Sequence, residues 1–228
     1  MPTIALVAAG ARLGLSLGKI FGAHGFDVAL IARSPERLGE LTGKLAADGV
    51  TAAGFPADVT DRPALAAALE SAAGRFGGID VLHYATQGAG SGVALRTTGA
   101  LDITVDNLAP QIDSICYGAI TATRTVLPAM LAAGTGTLLY TTGASSVTPA
   151  PVFVSAGMAG AALRKWVLTL NAVLADRGIF AGHVAIGAWI AGTPGMPDGV
   201  SPQEPDDIAR RYWDLHTDRG PADHLVSA

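Results

Sequence analysis

The feature that most constrains this chain is the recurrence of short, unbroken apolar runs at intervals a helix can fill. IALVAA, VALIA and GTLLYTT show no inside/outside alternation, which is how strands read when both faces of a parallel sheet are covered. Strand-type runs fall at Thr3–Ala8, Asp27–Ala32, Thr51–Phe55, Ile79–Tyr84, Thr137–Thr142 and Ile179–Ile186. Helical stretches lie between them at Gly14–His24, Pro35–Asp48, Arg62–Phe76, Leu101–Ala133 and Ala156–Arg177. Pro205–His216 reads as a further helix and His224–Ser227 as a short last strand. Strand–helix–strand repetition makes right-handed crossovers, so the expected fold class is α/β, a Rossmann-type doubly wound parallel sheet. At 228 residues the chain has room for one such domain, spanning 1–228.

Composition narrows the function. Half of the residues are hydrophobic and 15% are charged, so the chain buries enough apolar surface to offset its ordering entropy. A net charge of −4 argues against nucleic acid, whose phosphates demand a basic face. The lone Cys116 forms no internal disulfide, which points to a reducing cytoplasm. MPTIALVAAG lacks the basic start of a signal peptide, and glycine, proline and histidine interrupt the uncharged stretch 178–197, so no membrane span is expected. No His/Cys/carboxylate set has metal spacing, and neither a Gly-x-Ser-x-Gly elbow nor a Walker lysine occurs.

The first strand runs into Ala9-Gly10-Ala11-Arg12-Leu13-Gly14-Leu15-Ser16. Glycines between a buried strand and a helix permit a tight turn and let backbone amides approach a pyrophosphate; a plain βα turn uses them too. The second strand ends at Ala32-Arg33, where a site selecting NAD carries a carboxylate for the ribose 2′-hydroxyl. Arg33, with Arg12, offers guanidinium pairing to a 2′-phosphate, which favours NADP(H) over NAD(H); the alternative is a surface arginine before a helix. Asp58-Val59 after the third strand fits an adenine-edge contact, or Asp58 caps the next helix. The glycine-rich stretches 86–99 and 187–205 follow strand C-termini, where open α/β sheets bind ligands. Thr86, Gly187, Ile190 and Thr193 are the cofactor candidates there, Gly88–Gly92 a candidate lid, and Leu15, Met158, Trp189 and Met196 a candidate apolar pocket.

The glycine turn, Ala57-Asp58-Val59, Asp80-Val81-Leu82, Val126-Leu127-Pro128-Ala129-Met130 and Ala161-Ala162-Leu163-Arg164 together resemble the short-chain dehydrogenase/reductase family over roughly Thr3 to Thr193. The resemblance implies about seven parallel strands and an NAD(P) site. It also implies a homodimer or homotetramer built on the long helices near 101–133 and 156–177. The chain departs from the family at Ala9 and Ser16 in the glycine motif, and at Tyr84-Ala85-Thr86-Gln87 after the fourth strand. The family's catalytic asparagine, serine, tyrosine and lysine fall on Ile115, Gly143, Ala156 and Gly160. No Tyr-x-x-x-Lys occurs in the chain. Thr141, Thr142, Ser145, Ser146 and Ser155 are the hydroxyls left near the implied nicotinamide, with Thr142, Ser145 and Ser155 the catalytic candidates among them; loop and cap hydrogen bonding is the alternative. His183 reads as a core histidine, and Arg164 as a charge near the site, a solvated residue or an oligomer contact. The expected function is an NADP(H)-dependent oxidoreductase with an atypical active site and a small apolar substrate. A non-redox enzyme on the same fold, or a catalytically silent NADP(H)- or partner-binding protein, are the alternatives.

Overall fold

The computed structural model describes residues 1–85, 98–196 and 198–227. Its seven strands are β1 (Thr3–Val7), β2 (Asp27–Ala32), β3 (Ala52–Pro56), β4 (Val81–Tyr84), β5 (Gly136–Gly143), β6 (Ile179–Ile186) and β7 (Asp223–Val226). They form one sheet in the order β3-β2-β1-β4-β5-β6-β7, with every pair parallel. The order reverses between β1 and β4, and a crevice opens at the carboxyl ends there.

Helices α1 (Leu13–Ala23), α2 (Pro35–Ala47) and α7 (Pro205–Asp218) cover one face through Leu17, Phe21, Leu41, Leu45, Ile208 and Tyr212. The opposite face receives α3 (Arg62–Phe76), α5 (Gly118–Ala133) and α6 (Val154–Leu174) through Leu65, Leu69, Ala119, Ala122, Leu163 and Val167. Side-chain caps start two of these helices. Ser34 and Asp61 each accept a hydrogen bond from the amide three residues on, with proline in the first turn.

The long helix expected over Leu101–Ala133 is corrected at its start and at its centre. Leu101 is fully exposed, and α4 (Val105–Ile112) begins only after Thr104, which exchanges reciprocal hydrogen bonds with Asn107. Asp113–Tyr117 then forms a π-turn before α5, a local widening that hydrophobic periodicity does not encode. Tyr84 stands beneath this turn: fully buried, it donates its hydroxyl proton to the Ser114 carbonyl, while Gly118 leaves it space. The stretch 105–133 is apolar and long enough to cross a membrane by composition; here Ile115, Ala119, Ala122 and Val126 pack on the sheet.

Candidate functional site

A cleft of about 830 Å³ opens at the switch point of the sheet. Gly10, Arg12, Leu13, Gly14, Arg33, Val59 and Ile190 line it. A methyl group on Gly10 would meet nothing within 4 Å, whereas on Gly14 it would lie 3.2 Å from the Ala9 Cα. Glycine at 14 therefore lets α1 start directly against the end of β1, and the start of α1 has no side-chain cap. A helix start with no side chain over it, beside an open glycine, fits a phosphate diester.

Arg12 and Arg33 line the same cleft, and the Arg12 Nη1 lies 3.4 Å from the Gly192 carbonyl. Arg33 faces Asp58 at 3.9 Å. Asp58 does not cap α3, a role taken by Asp61. Its Oδ1 accepts instead from the Thr60 amide and hydroxyl at 2.9 and 2.8 Å. Burial opposes its ionisation, but these donors and Arg33 outweigh that and hold the carboxyl below its ordinary range. Thr193 closes a turn onto the Ile190 carbonyl, and Gly187 donates to Val226 at 2.7 Å. Thr86 and the 88–92 stretch lie outside the described residues.

The cleft takes in Thr141, one of the hydroxyls expected near the nicotinamide, and also Glu36, Arg37, Glu40 and His83, to which sequence reasoning assigned no role there. Arg37 joins Arg33 on its wall, together with Glu36 and Glu40; the helical offset of three from Ser34 was the available signal. His83 and Thr141 form its floor. His83 Nε2 is 2.9 Å from Thr141 Oγ1, which also meets the Tyr212 hydroxyl. Complete burial pushes the His83 imidazole down to about 3, so it is neutral.

The four positions onto which the resemblance maps the family's catalytic residues carry no polar side chain. Ile115 sits buried in the π-turn, Gly143 ends β5, and Ala156 and Gly160 are buried along α6. Ser155 is buried, 3.4 Å from the Thr98 hydroxyl. Ser145 backs onto Gly157, where an added methyl would lie 2.8 Å from the Ser145 carbonyl. Trp189 and Met158 are 37% and 46% exposed.

Thr142 belongs to a different arrangement, on the α6 face. Its Oγ1 lies 2.7 Å from Ser146 Oγ and 2.8 Å from His183 Nε2. His183 Nδ1 is 2.8 Å from Asp223 Oδ1, and Arg164 grips both Asp223 oxygens. Arg164 is thus an ion-pair partner for β7. That pairing holds the Asp223 carboxyl low against the opposing effect of burial. Burial pushes the His183 imidazole down, and Asp223 only partly restores it.

A doubly wound sheet with a glycine turn at its switch point defines a dinucleotide-fold protein. The family described as short chain dehydrogenase matches residues 2–194, and the chain belongs to that family. It is 26% identical over 181 residues to the short chain dehydrogenase MYCFIDRAFT_6125 of Pseudocercospora fijiensis, covering 77% of this chain and 56% of that protein. It is 35% identical over 79 residues to the fatty acyl-CoA reductase Rv0547c of Mycobacterium tuberculosis, covering 35% of this chain and 27% of that protein. In both, the match spans less than two thirds of the relative's own length. Among solved structures, L-sorbose reductase from Gluconobacter frateurii, complexed with NADPH and L-sorbose, superposes with TM-score 0.85 at 19% identity, covering 99% and 95% of the two chains. A 7α-hydroxysteroid dehydrogenase complexed with NADH gives TM-score 0.87 at 18% identity, covering 100% and 92%.

Proposed function

We propose that this protein is an NADP(H)-dependent oxidoreductase of the short-chain type, with an atypical active site and a small, largely apolar substrate. The observation that carries the reading is the cleft's charge arrangement. Ala32 stands where an acid would select the unphosphorylated ribose, and the guanidiniums of Arg33 and Arg37 line the cleft wall beside it. Gly10, Leu13 and Gly14 would hold the pyrophosphate at the start of α1, Val59 the adenine, and Gly187, Ile190 and Thr193 the nicotinamide end. A bound nicotinamide supplies the hydride chemistry, and the chain's part is to orient it and to manage the proton. The exposed apolar residues Tyr117, Leu131, Met158 and Val173 on the helices near 101–133 and 156–177 support a homo-oligomer formed there, and the single cysteine supports a cytoplasmic home.

The test is a fluorescence titration with NADPH and with NADH. NADPH is expected to bind the tighter, and Arg33→Ala and Arg37→Ala each to weaken it by about tenfold, the value of one charge-assisted phosphate contact. NADH affinity should move by less than about twofold. NADPH affinity unchanged in both variants would refute the 2′-phosphate assignment; binding of neither cofactor would favour a non-redox function or a partner-binding role.

A further inference from the structure

We infer that His83 and Thr141 form a neutral polar floor that takes the carboxamide of a bound nicotinamide. The inference rests on the cofactor reading above and assigns two side chains of the same cleft.

Both residues line the cleft, His83 on β4 and Thr141 on β5. The sheet order sets them relative to the phosphate positions. Arg33 and Arg37 follow β2, and Gly10 and Gly14 follow β1, so a dinucleotide held at both extends onward over β4 and β5. These strands lie about 5 and 10 Å beyond β1 at one sheet spacing each, the reach of a ribose and the ring it carries. Ile186, Ile190 and Pro194 line the same cleft and offer the apolar surface that a flat ring covers.

The floor's polarity follows from its protons. His83 Nε2 lies 2.9 Å from Thr141 Oγ1, which lies 2.5 Å from the Tyr212 hydroxyl. The Tyr212 ring stands edge-on to the imidazole at 5.2 Å and holds its plane. Burial keeps the imidazole neutral and the phenol protonated, so the three groups carry three protons. Two occupy the two hydrogen bonds, and one is left over. Tyr212 is fully buried, and among the described residues its hydroxyl meets only Thr141. A surplus proton there would be an enclosed, unpaired donor, at the full cost of desolvation. Tyr212 therefore donates to Thr141, and the surplus falls on the pair that lines the cleft.

Both tautomers of His83 lead to the same presentation. With its proton on Nδ1, His83 offers the donor and Thr141 keeps a free lone pair. With the proton on Nε2, Thr141 offers the donor and His83 Nδ1 the lone pair. One donor and one acceptor are thus set side by side, without charge. A primary carboxamide is their complement, because its carbonyl accepts and its N–H donates. A ketone in its place lacks the donor and leaves the floor's acceptor unpaired.

The test compares three probes by titration: NADP⁺, its 3-acetylpyridine analogue, in which a methyl ketone replaces the carboxamide, and adenosine 2′,5′-bisphosphate, which lacks the nicotinamide half. Wild-type protein is expected to bind the analogue about tenfold more weakly than NADP⁺. Thr141→Val is expected to weaken NADP⁺ by about tenfold and to reduce that discrimination to about twofold, with adenosine 2′,5′-bisphosphate unmoved and Thr141→Ser restoring both. Thr141→Val combined with Tyr212→Phe leaves no hydroxyl stranded behind the valine, and the same losses in it guard against misfolding. In nitrogen NMR of histidine-labelled protein, NADP⁺ is expected to shift the His83 ring resonances and adenosine 2′,5′-bisphosphate to leave them in place. NADP⁺ affinity unchanged by Thr141→Val, an equal loss for all three probes, or discrimination retained in the variant overturns the floor alone. Wild-type protein that binds neither NADP⁺ nor adenosine 2′,5′-bisphosphate refutes the cofactor reading itself, and the floor with it.

Discussion

Gly118 gives a direct test of how the π-turn is seated on the sheet. A methyl group there would lie 2.0 Å from the Tyr84 hydroxyl, 3.0 Å from the Val59 carbonyl and 3.2 Å from the Tyr84 Cζ. Tyr84 is fully buried and cannot swing into solvent, so Gly118→Ala must displace it and strain its bond to Ser114. Overpacking costs about 1–3 kcal/mol and the weakened hydrogen bond about 1 kcal/mol. Replacing glycine within a helix returns about 1 kcal/mol. The net loss is about 2 kcal/mol, or roughly 4–8 °C in Tm for a domain of this size. Tyr84→Phe alone should cost about 1–2 kcal/mol. The double variant removes the atom at 2.0 Å and leaves only contacts that a few tenths of an ångström relieve. It should therefore lose no more than the worse single variant, a compensating coupling of about 1–2 kcal/mol in a double-mutant cycle. Urea denaturation of the four proteins measures this. Additive losses, or a stabilising Gly118→Ala, would refute the packing argument.

Two further outcomes follow from the same kind of accounting. His83 is held neutral down to about 3 by burial, while the unfolded chain takes up that proton near pH 6.5. Its contribution is therefore complete above pH 6.5 and is lost as pH falls toward 3, with a slope of about 1.4 kcal/mol per pH unit. His83→Gln should flatten that limb in denaturation curves at stepped pH, and an unchanged slope would refute the assignment. Gly178 has φ +73° and its added methyl would lie 2.0 Å from the Gly134 carbonyl, whereas Gly49, at φ +77°, has open space. Thermal melts should show Gly178→Ala costing about 2–4 kcal/mol and Gly49→Ala about 1 kcal/mol; equal losses would refute the clash.

The central strands were legible because both of their faces are covered, so β1, β2, β5 and β6 announce themselves as apolar runs, and β6 and α3 fall at the expected bounds. The centre of 101–133 was not, since a π-turn adds a residue without breaking the apolar pattern and Thr104 sits among residues that read equally well as helix. At the candidate site, the glycine turn and Ala32-Arg33 are each contiguous in sequence, and the structure sets Gly10, Gly14, Ala32 and Arg33 around one cleft. The hydrogen-bonded network behind β5 was not legible: Thr142, Arg164, His183 and Asp223 come from β5, α6, β6 and β7, and only strand register aligns His183 with Asp223. The signal was present in outline, as a histidine inside the apolar run IFAGHVAI and an aspartate opening DHLV. Arg37 was hidden for the opposite reason, as one polar residue among many on the exposed side of α2.

The segment after β6 is held from three directions. Ala191 and Gln203 join through a backbone bond at 3.0 Å, the Gln203 side chain reaches the Ser227 carbonyl at 2.7 Å, and Gly192 faces Arg12. The rim of the cleft is thus laced to the glycine turn on one side and to the last strand on the other. A perturbation of β7 should therefore travel to the mouth of the cleft as well as to Asp223. The edge of the sheet works as a common anchor, and the rate at which a nucleotide enters or leaves should depend on how firmly that last strand is seated.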